Sequence, residues 1–387
     1  MKKILATVLV IAMLVSAVAV TAFAAPHYED FATELNELGL LRGTDAGFAL
    51  DRAPTRAESL VMLLRLLGLE EAVAESDYEH PFTDVPNWAD AYVAYAYNND
   101  LARGTSATAF SPNATASAQV YLTFVLRALG FTDEDAGEDF QLFDIAVELG
   151  TEIGVFTTAL EGPFLRDQMV AVSYLALAAE PVGGEFNTLL DSLVAAGAVE
   201  ADAAAALMQR FELLRDFVAF DTEVYLNYSV EVTASVGGQT PLARFEDGTI
   251  YVYVDGEDED PITFTYDVSA AIDEAATAPG GFAELALQVR DIERSEDGDI
   301  TVYTITAADG SVISTYVAAD DTPLMSTSTR TVVIEGVALT ITITVEYTEF
   351  EDAVTLPADV NGEEDDEDYD DEDYEDEEDE DENGNGY

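Results

Sequence analysis

The sequence predicts an all-α bundle built from three repeats, then a mainly antiparallel β domain with a packed helix, then a disordered acidic tail. Three observations carry this. Self-similarity at a spacing of about 62 residues runs through the first half of the 387-residue chain. The hydrophobic period switches from helical to two near Glu223. Glu363 to Glu382 contains eighteen Asp or Glu, broken by Tyr369 and Tyr374 alone.

Residues 1–24 read as a secretory signal peptide. Lys2 and Lys3 precede an apolar run from Ile4 to about Val20, and Ala22-Phe23-Ala24 forms an A-x-A cleavage site. After cleavage no stable membrane span is expected, and export points to a bacterial envelope protein. The first repeat occupies 28–70, the second 82–131 and a degenerate third 140–180. Leu41-Arg42-Gly43-Thr44 recurs as Ala102-Arg103-Gly104-Thr105, Phe48 as Phe110, and Leu64-Arg65-Leu66-Leu67-Gly68 as Leu126-Arg127-Ala128-Leu129-Gly130. Leu60, Leu63, Leu64 and Leu67 give one helix an apolar stripe. One such unit cannot bury its stripe alone, so the three should pack together.

Residues 185–220 read as a helical spacer, with helices at about 186–196 and 201–220. Over 222–358, alternation at Val224, Leu226, Tyr228, Val230 and Val232 opens a β domain of seven or eight strands. Asp247-Gly248 and Asp309-Gly310 look like hairpin turns, and Thr331–Ile334 should pair with Ala338–Tyr347. A helix over about 282–289 interrupts the strands. The pattern resembles the half-barrel of LolA/LppX-type lipoprotein carriers, which would imply an apolar cavity; a plain structural sheet fits it equally. The tail, 359–387, repels itself and should stay extended as a solvating segment.

Composition excludes several functions. Lys+Arg number 15 against 78 Asp+Glu, a net charge of -63, so a basic nucleic-acid face is ruled out. There is no Cys, which removes disulfides, thiolate metal sites and cysteine nucleophiles. His27 and His80, the two histidines, both read as surface residues. No metal centre or cofactor is expected; the tail lacks EF-hand spacing, and its charge density allows only diffuse, weak Ca²⁺ association. P-loop, G-x-S-x-G, H-E-x-x-H and dinucleotide motifs are missing, so no enzyme activity is expected.

Phe82-Thr83-Asp84-Val85-Pro86-Asn87-Trp88-Ala89 opens the second repeat, and Thr55-Arg56-Ala57-Glu58 starts a helix in the first. These segments, and the repeat over residues 28–180, resemble the S-layer homology (SLH) domain, with its F-x-D-V…W-A opening and T-R-A-E signature. The resemblance implies a compact trimer of repeats. It also implies non-covalent binding to secondary cell-wall polysaccharide, including polymers with a pyruvate ketal, in a peptidoglycan-associated envelope.

The binding residues it points to are Arg56, Trp88, Arg166, Asp84, Gly43 and Gly104. Thr55 and Glu58 make a capping box, which accounts for them fully. Arg56, expected to point outward beside a helix start, offers a carboxylate site, and the Trp88 face suits a sugar ring. The repeats depart from the pattern. The second has Ser117-Ala118-Gln119-Val120 in place of the signature. The third keeps Arg166 but has no Arg-Gly-Thr…Phe loop, and the first has no Trp.

The expectation is therefore a secreted cell-surface protein anchored to the wall, displaying a β domain of unknown ligand. One rival is an extracellular lipid- or peptide-binding carrier with the helical half as tether. A second is a wall-acting hydrolase.

Overall fold

Two helices of the first half start on a short polar side chain, Thr55 or Ser117, that accepts a free N–H of the first turn. The computed structural model describes residues 28–349 apart from 44–46, 133–144, 237–242, 247–248, 253–261, 266–280, 309, 320–321 and 335–336. The signal peptide, His27, the start of the third repeat at 140–144 and the acidic tail lie outside the described residues.

Helix α1 (Glu29–Glu37) buries Phe31, Ala32 and Leu35. Helix α2 (Arg56–Leu66) is capped by Thr55, followed by α3 (Glu70–Glu75) and α4 (Asp90–Asn98). Ser117 accepts from the Val120 N–H and caps α5 (Ala118–Ala128); α6 (Ile145–Glu152) packs against it. Helix α7 (Arg166–Ala178) is buried from Met169 to Ala178 on every side. A helix apolar all round belongs at the centre, and α1, α2, α5 and α8 all contact it.

Helix α8 (Leu189–Ala195), capped by Thr188, and α9 (Ala201–Asn227) cover the stretch expected as a spacer. They contribute Leu189, Leu190, Leu193, Leu207, Phe211 and Leu214 to the same core as the first half. The helix also runs on to Asn227, where alternation predicted a strand from Glu223. Once nucleated, a helix gains a hydrogen bond per residue added, and five alternating residues do not outweigh that. The strand begins at Tyr228.

Among the described residues the β half is one antiparallel sheet of nine strands, where the sequence suggested seven or eight. Two strands of four residues, β2 (Ala243–Glu246) and β4 (Ile262–Thr265), are too short to show a clear alternation. The order is β4-β3-β2-β1-β9-β8-β7-β6-β5. Strands β1 (Tyr228–Val236) to β4, with β3 at Thr249–Val252, form one meander. Strands β5 (Val289–Asp297), β6 (Ile300–Ala307), β7 (Val312–Ala318), β8 (Pro323–Ile334) and β9 (Val337–Glu349) form the other. Strand β9 joins the two by pairing with β1, Tyr228 opposite Glu349. Glu246 pairs with Thr249 and Ile334 with Val337; the turn expected at Asp247-Gly248 lies outside the described residues.

Helix α10 (Gly281–Gln288) leads into β5 and ties the sheet to the bundle. The described residues all belong to one compact unit that ends at Glu349. At the join, the Phe211 ring meets Tyr174 of α7 edge-on at 5.3 Å and Phe282 of α10 at 6.3 Å. Phe217 meets Tyr303 of β6 at 6.0 Å. Arg290 pairs with Asp30 at 2.9 Å and lies 4.6 Å over the Phe31 ring. Arg215 lies over Phe282 at 5.4 Å and donates to the Ala178 carbonyl.

Phe211 is 1% exposed. Phe211→Ala should therefore destabilise the fold by about 3–5 kcal/mol, the usual cost of emptying a buried phenyl site. Because the ring touches bundle and α10 together, the loss should appear in a single denaturant transition followed by both helical and sheet signals. Two separated transitions in the wild-type protein would contradict the shared core.

Candidate wall-binding site

The candidate residues gather where helix starts of one repeat-like segment meet loops of another. The capping box at α2 is formed: Thr55 Oγ1 accepts from the Glu58 N–H at 3.3 Å, and Glu58 accepts from the Thr55 N–H at 2.9 Å. Arg52 grips the same carboxylate with two bonds of 2.8 Å and holds Glu58 below the usual carboxylate range. Next to this cap the Arg56 and Ala57 N–H groups donate to the Ala114 and Pro112 carbonyls. At α7 the Arg166 and Asp167 N–H groups donate to the Arg52 and Leu50 carbonyls in the same way.

Arg56 does not point outward as expected. It is 6% exposed. Its guanidinium lies between the Phe110 and Phe124 rings, 4.9 and 5.0 Å from their centroids, and donates to the Arg103 carbonyl at 2.8 Å. The planar cation stacks on aromatic faces, and that contact outweighs exposure. Burial first, then the nearby charge of Arg127, pushes its pKa down to about 10, so it stays charged at neutral pH. Its Nε makes no hydrogen bond, and among the described residues no carboxylate pairs with it. Arg166 repeats the motif one segment over: Nε donates to the Phe48 carbonyl at 2.9 Å, and burial lowers its pKa.

Each of these arginines thus clamps the Arg-Gly-Thr…Phe loop of a neighbouring segment. Arg56 holds the loop containing Gly104, and Arg166 holds the loop containing Gly43. The equivalent side chain at α5 is Gln119, which accepts from the Val147 N–H at 3.3 Å. A cavity of about 420 Å³ opens there, lined by Thr115, Ser117, Gln119, Pro163, Phe164 and neighbours.

Gly104 is required by packing. A Cβ on it would sit 2.3 Å from Phe82 Cε1 and 2.5 Å from the Ser106 carbonyl oxygen. At Gly43 a Cβ would meet the Phe48 ring at 3.3 Å, which a small shift relieves. Asp84 is exposed and accepts the Phe110 and Ser111 N–H groups at 2.8 Å each. It fastens the far end of the Gly104 loop. Trp88, 55% exposed, stands at the turn before α4 with its indole open to solvent.

His80, expected on the surface, has a side chain only 7% exposed. Its ring stacks on Phe82 at 5.3 Å, and the segment around it is tied to α4 by Asn98 donating to the Glu79 carbonyl. The signal was in the sequence: Tyr78, His80 and Phe82 alternate beside the aromatic-rich α4. Among the described residues no cluster of three or more His, Cys, Asp or Glu could hold a metal ion, and no helix is long and apolar enough to cross a membrane.

The Phe110 and Ser111 amides hold the Asp84 carboxyl below its usual range. A depressed carboxylate stabilises the fold above its unfolded pKa, and that contribution disappears as pH falls through the folded value. Asp84→Asn should therefore cost about 1 kcal/mol at pH 7, near the low end for a charge-assisted bond because the carboxylate is exposed. The gap should close below about pH 3–4. Thermal melts of both proteins across that window check it.

Residues 81–117 match the S-layer homology domain. The chain is 34% identical over 148 residues to a "Cell surface protein" of Thermoanaerobacter kivui, a match covering 35% of this chain and 19% of that protein. It is 30% identical over 144 residues to a "Surface layer protein" of Brevibacillus choshinensis, covering 34% and 13%. It is 29% identical over 146 residues to a "Middle cell wall protein" of Brevibacillus brevis, covering 34% and 14%. The matches span no more than about a fifth of the length of these relatives. The matched segment includes Phe82, Asp84, Trp88 and Gly104, the residues that build the loop-and-turn face described above, and it is this face that is similar to the S-layer homology domain.

Proposed function

We propose that this protein is a non-catalytic wall anchor. Its helical half, read as three SLH repeats, binds secondary cell-wall polysaccharide and displays the nine-stranded sheet. The observation that carries the proposal is Arg56. A permanent charge is buried on aromatic rings with one donor unused and no described carboxylate to balance it. Removing a charge from water without a counter-charge is costly, and a ligand carboxylate would relieve it. A pyruvate ketal on a sugar supplies one, with the sugar ring stacking on Trp88. Arg166 serves the equivalent loop at Gly43, and the α5 interface, which has Gln119, contributes shape without charge. Gly43, Gly104 and Asp84 act by fixing the loops; Thr55 and Glu58 act by starting α2.

The test is sedimentation of the full chain with purified wall sacculi, before and after stripping the secondary polymer. Binding should disappear with the polymer. Trp88→Ala should weaken it about three- to tenfold, the scale of one aromatic stacking contact. Arg56→Ala should weaken it at least tenfold, whereas Gln119→Ala should change it less than about twofold. Thermal melts of each variant separate lost contact from lost fold. Equal retention by stripped and intact walls would rule the reading out.

A further inference from the structure

The contacts around His80 select one tautomer of the neutral ring. Nδ1 accepts the Phe82 N–H at 3.1 Å, so Nδ1 carries no proton and the ring hydrogen is on Nε2. Nε2 faces Asp90 Oδ1 at 3.3 Å. Protonating the ring would set an Nδ1–H against the Phe82 N–H and leave that amide without its acceptor.

Phe82 is the centre of the face built above. Its ring meets His80 at 5.3 Å, Tyr97 edge-on at 5.3 Å and Phe110 at 5.7 Å. It also fills the space a side chain at Gly104 would need. Phe110 in turn carries the Arg56 guanidinium and donates its N–H to Asp84. A shift of Phe82 therefore reaches both ends of the Gly104 loop.

We propose that His80 is a proton-operated latch: neutral, it holds the Phe82–Gly104–Phe110 face closed, and protonated, it releases it. The charged groups facing the imidazole among the described residues are Asp90 on α4 and Asp84 on the opening loop. Both carboxylates carry the charge opposite to that of an imidazolium. Asp90, however, is 65% exposed, where an ion pair is screened and worth little. The lost bond at Phe82 lies under the stack, where an orphaned amide is costly. The consequence for anchoring, weaker hold on the wall in mild acid, rests on the function proposed above; the latch itself does not.

The experiment uses the full chain and the His80→Asn variant, both in a His27→Gln background. Asparagine places a carbonyl oxygen where Nδ1 accepts, and it does not titrate. Two readouts need no ligand: hydrogen exchange of the peptide containing Phe82 and Thr83, corrected for intrinsic rate, and emission of Trp88, the chain's one tryptophan. Between pH 7.5 and 5.5, protection in the His80 protein should fall about tenfold and the Trp88 emission should shift with it. His80→Asn should stay flat. Unchanged protection with His80 present, or the same fall in His80→Asn, overturns the latch. Sedimentation with intact sacculi over the same pH range is the third arm. Binding that weakens in acid only with His80 supports the latch as a control on anchoring. Binding at no pH, with the protection change intact, rejects the anchor and leaves the latch standing.

Discussion

The helical half depends on one repeated interaction, an arginine at the start of one helix reaching across to a carbonyl in the next segment's loop. Arg56 reaches Arg103 and Arg166 reaches Phe48. In both cases the N–H groups beside the arginine bond the backbone of the same neighbouring segment. The helix start is thereby satisfied by a different segment from the one that follows it. Backbone bonds at these two helix starts thus join the first segment to the second and the third to the first, and the packing of α5 on α6 and α7 closes the ring. The arrangement also joins two departures that look unrelated in sequence. The second segment has Gln119 in place of an arginine, and the third has no Arg-Gly-Thr…Phe loop. These sit on the two sides of one interface: the clamp and the loop it would hold are absent together, and the space is a cavity.

The sheet is held to this ring through α9 and α10. Phe211 and Phe217 on α9 take partners from α7, α10 and β6, so apolar contact runs from the central helix into the sheet without a gap. Three arginines, Arg210, Arg215 and Arg290, lie along the same join. Arg210 pairs with Glu34 at 2.8 Å and Arg290 with Asp30 at 2.9 Å. In a chain with 78 acidic residues and 15 basic ones, arginines placed where surfaces meet offset a repulsion that would otherwise push the halves apart.

Local chemistry was legible in the sequence and long-range placement was not. The Thr55–Glu58 capping box needs only residues three apart, and it could be read directly. Hairpins such as Ile334 with Val337 likewise follow from short spacing. Arg56 was read as outward because helix position alone says nothing about Phe110 and Phe124, each more than fifty residues away. His80 was placed on the surface for the same reason: its acceptor role depends on a loop geometry set by Asn98 and Phe82. Helix α9 ran past its expected end because alternation over five residues is compatible with either period. Trp88 and Asp84 were legible as a motif, but only the structure separates their parts, one open to solvent and the other spent on two backbone amides.

The position of β9 has a consequence for the order of events. The last described strand lies in the middle of the sheet, between β1 and β8. A polypeptide delivered N-terminus first can finish its helical ring, with its short-range loops, while the rest is still arriving. The first meander meanwhile has an unpaired edge at β1 that nothing covers until Glu349 is in place. Such non-local pairing is slow, and an open strand edge invites the wrong partner. The last strand is therefore the keystone of the sheet, and the time between making β1 and receiving β9 is when this protein is most exposed to misassembly.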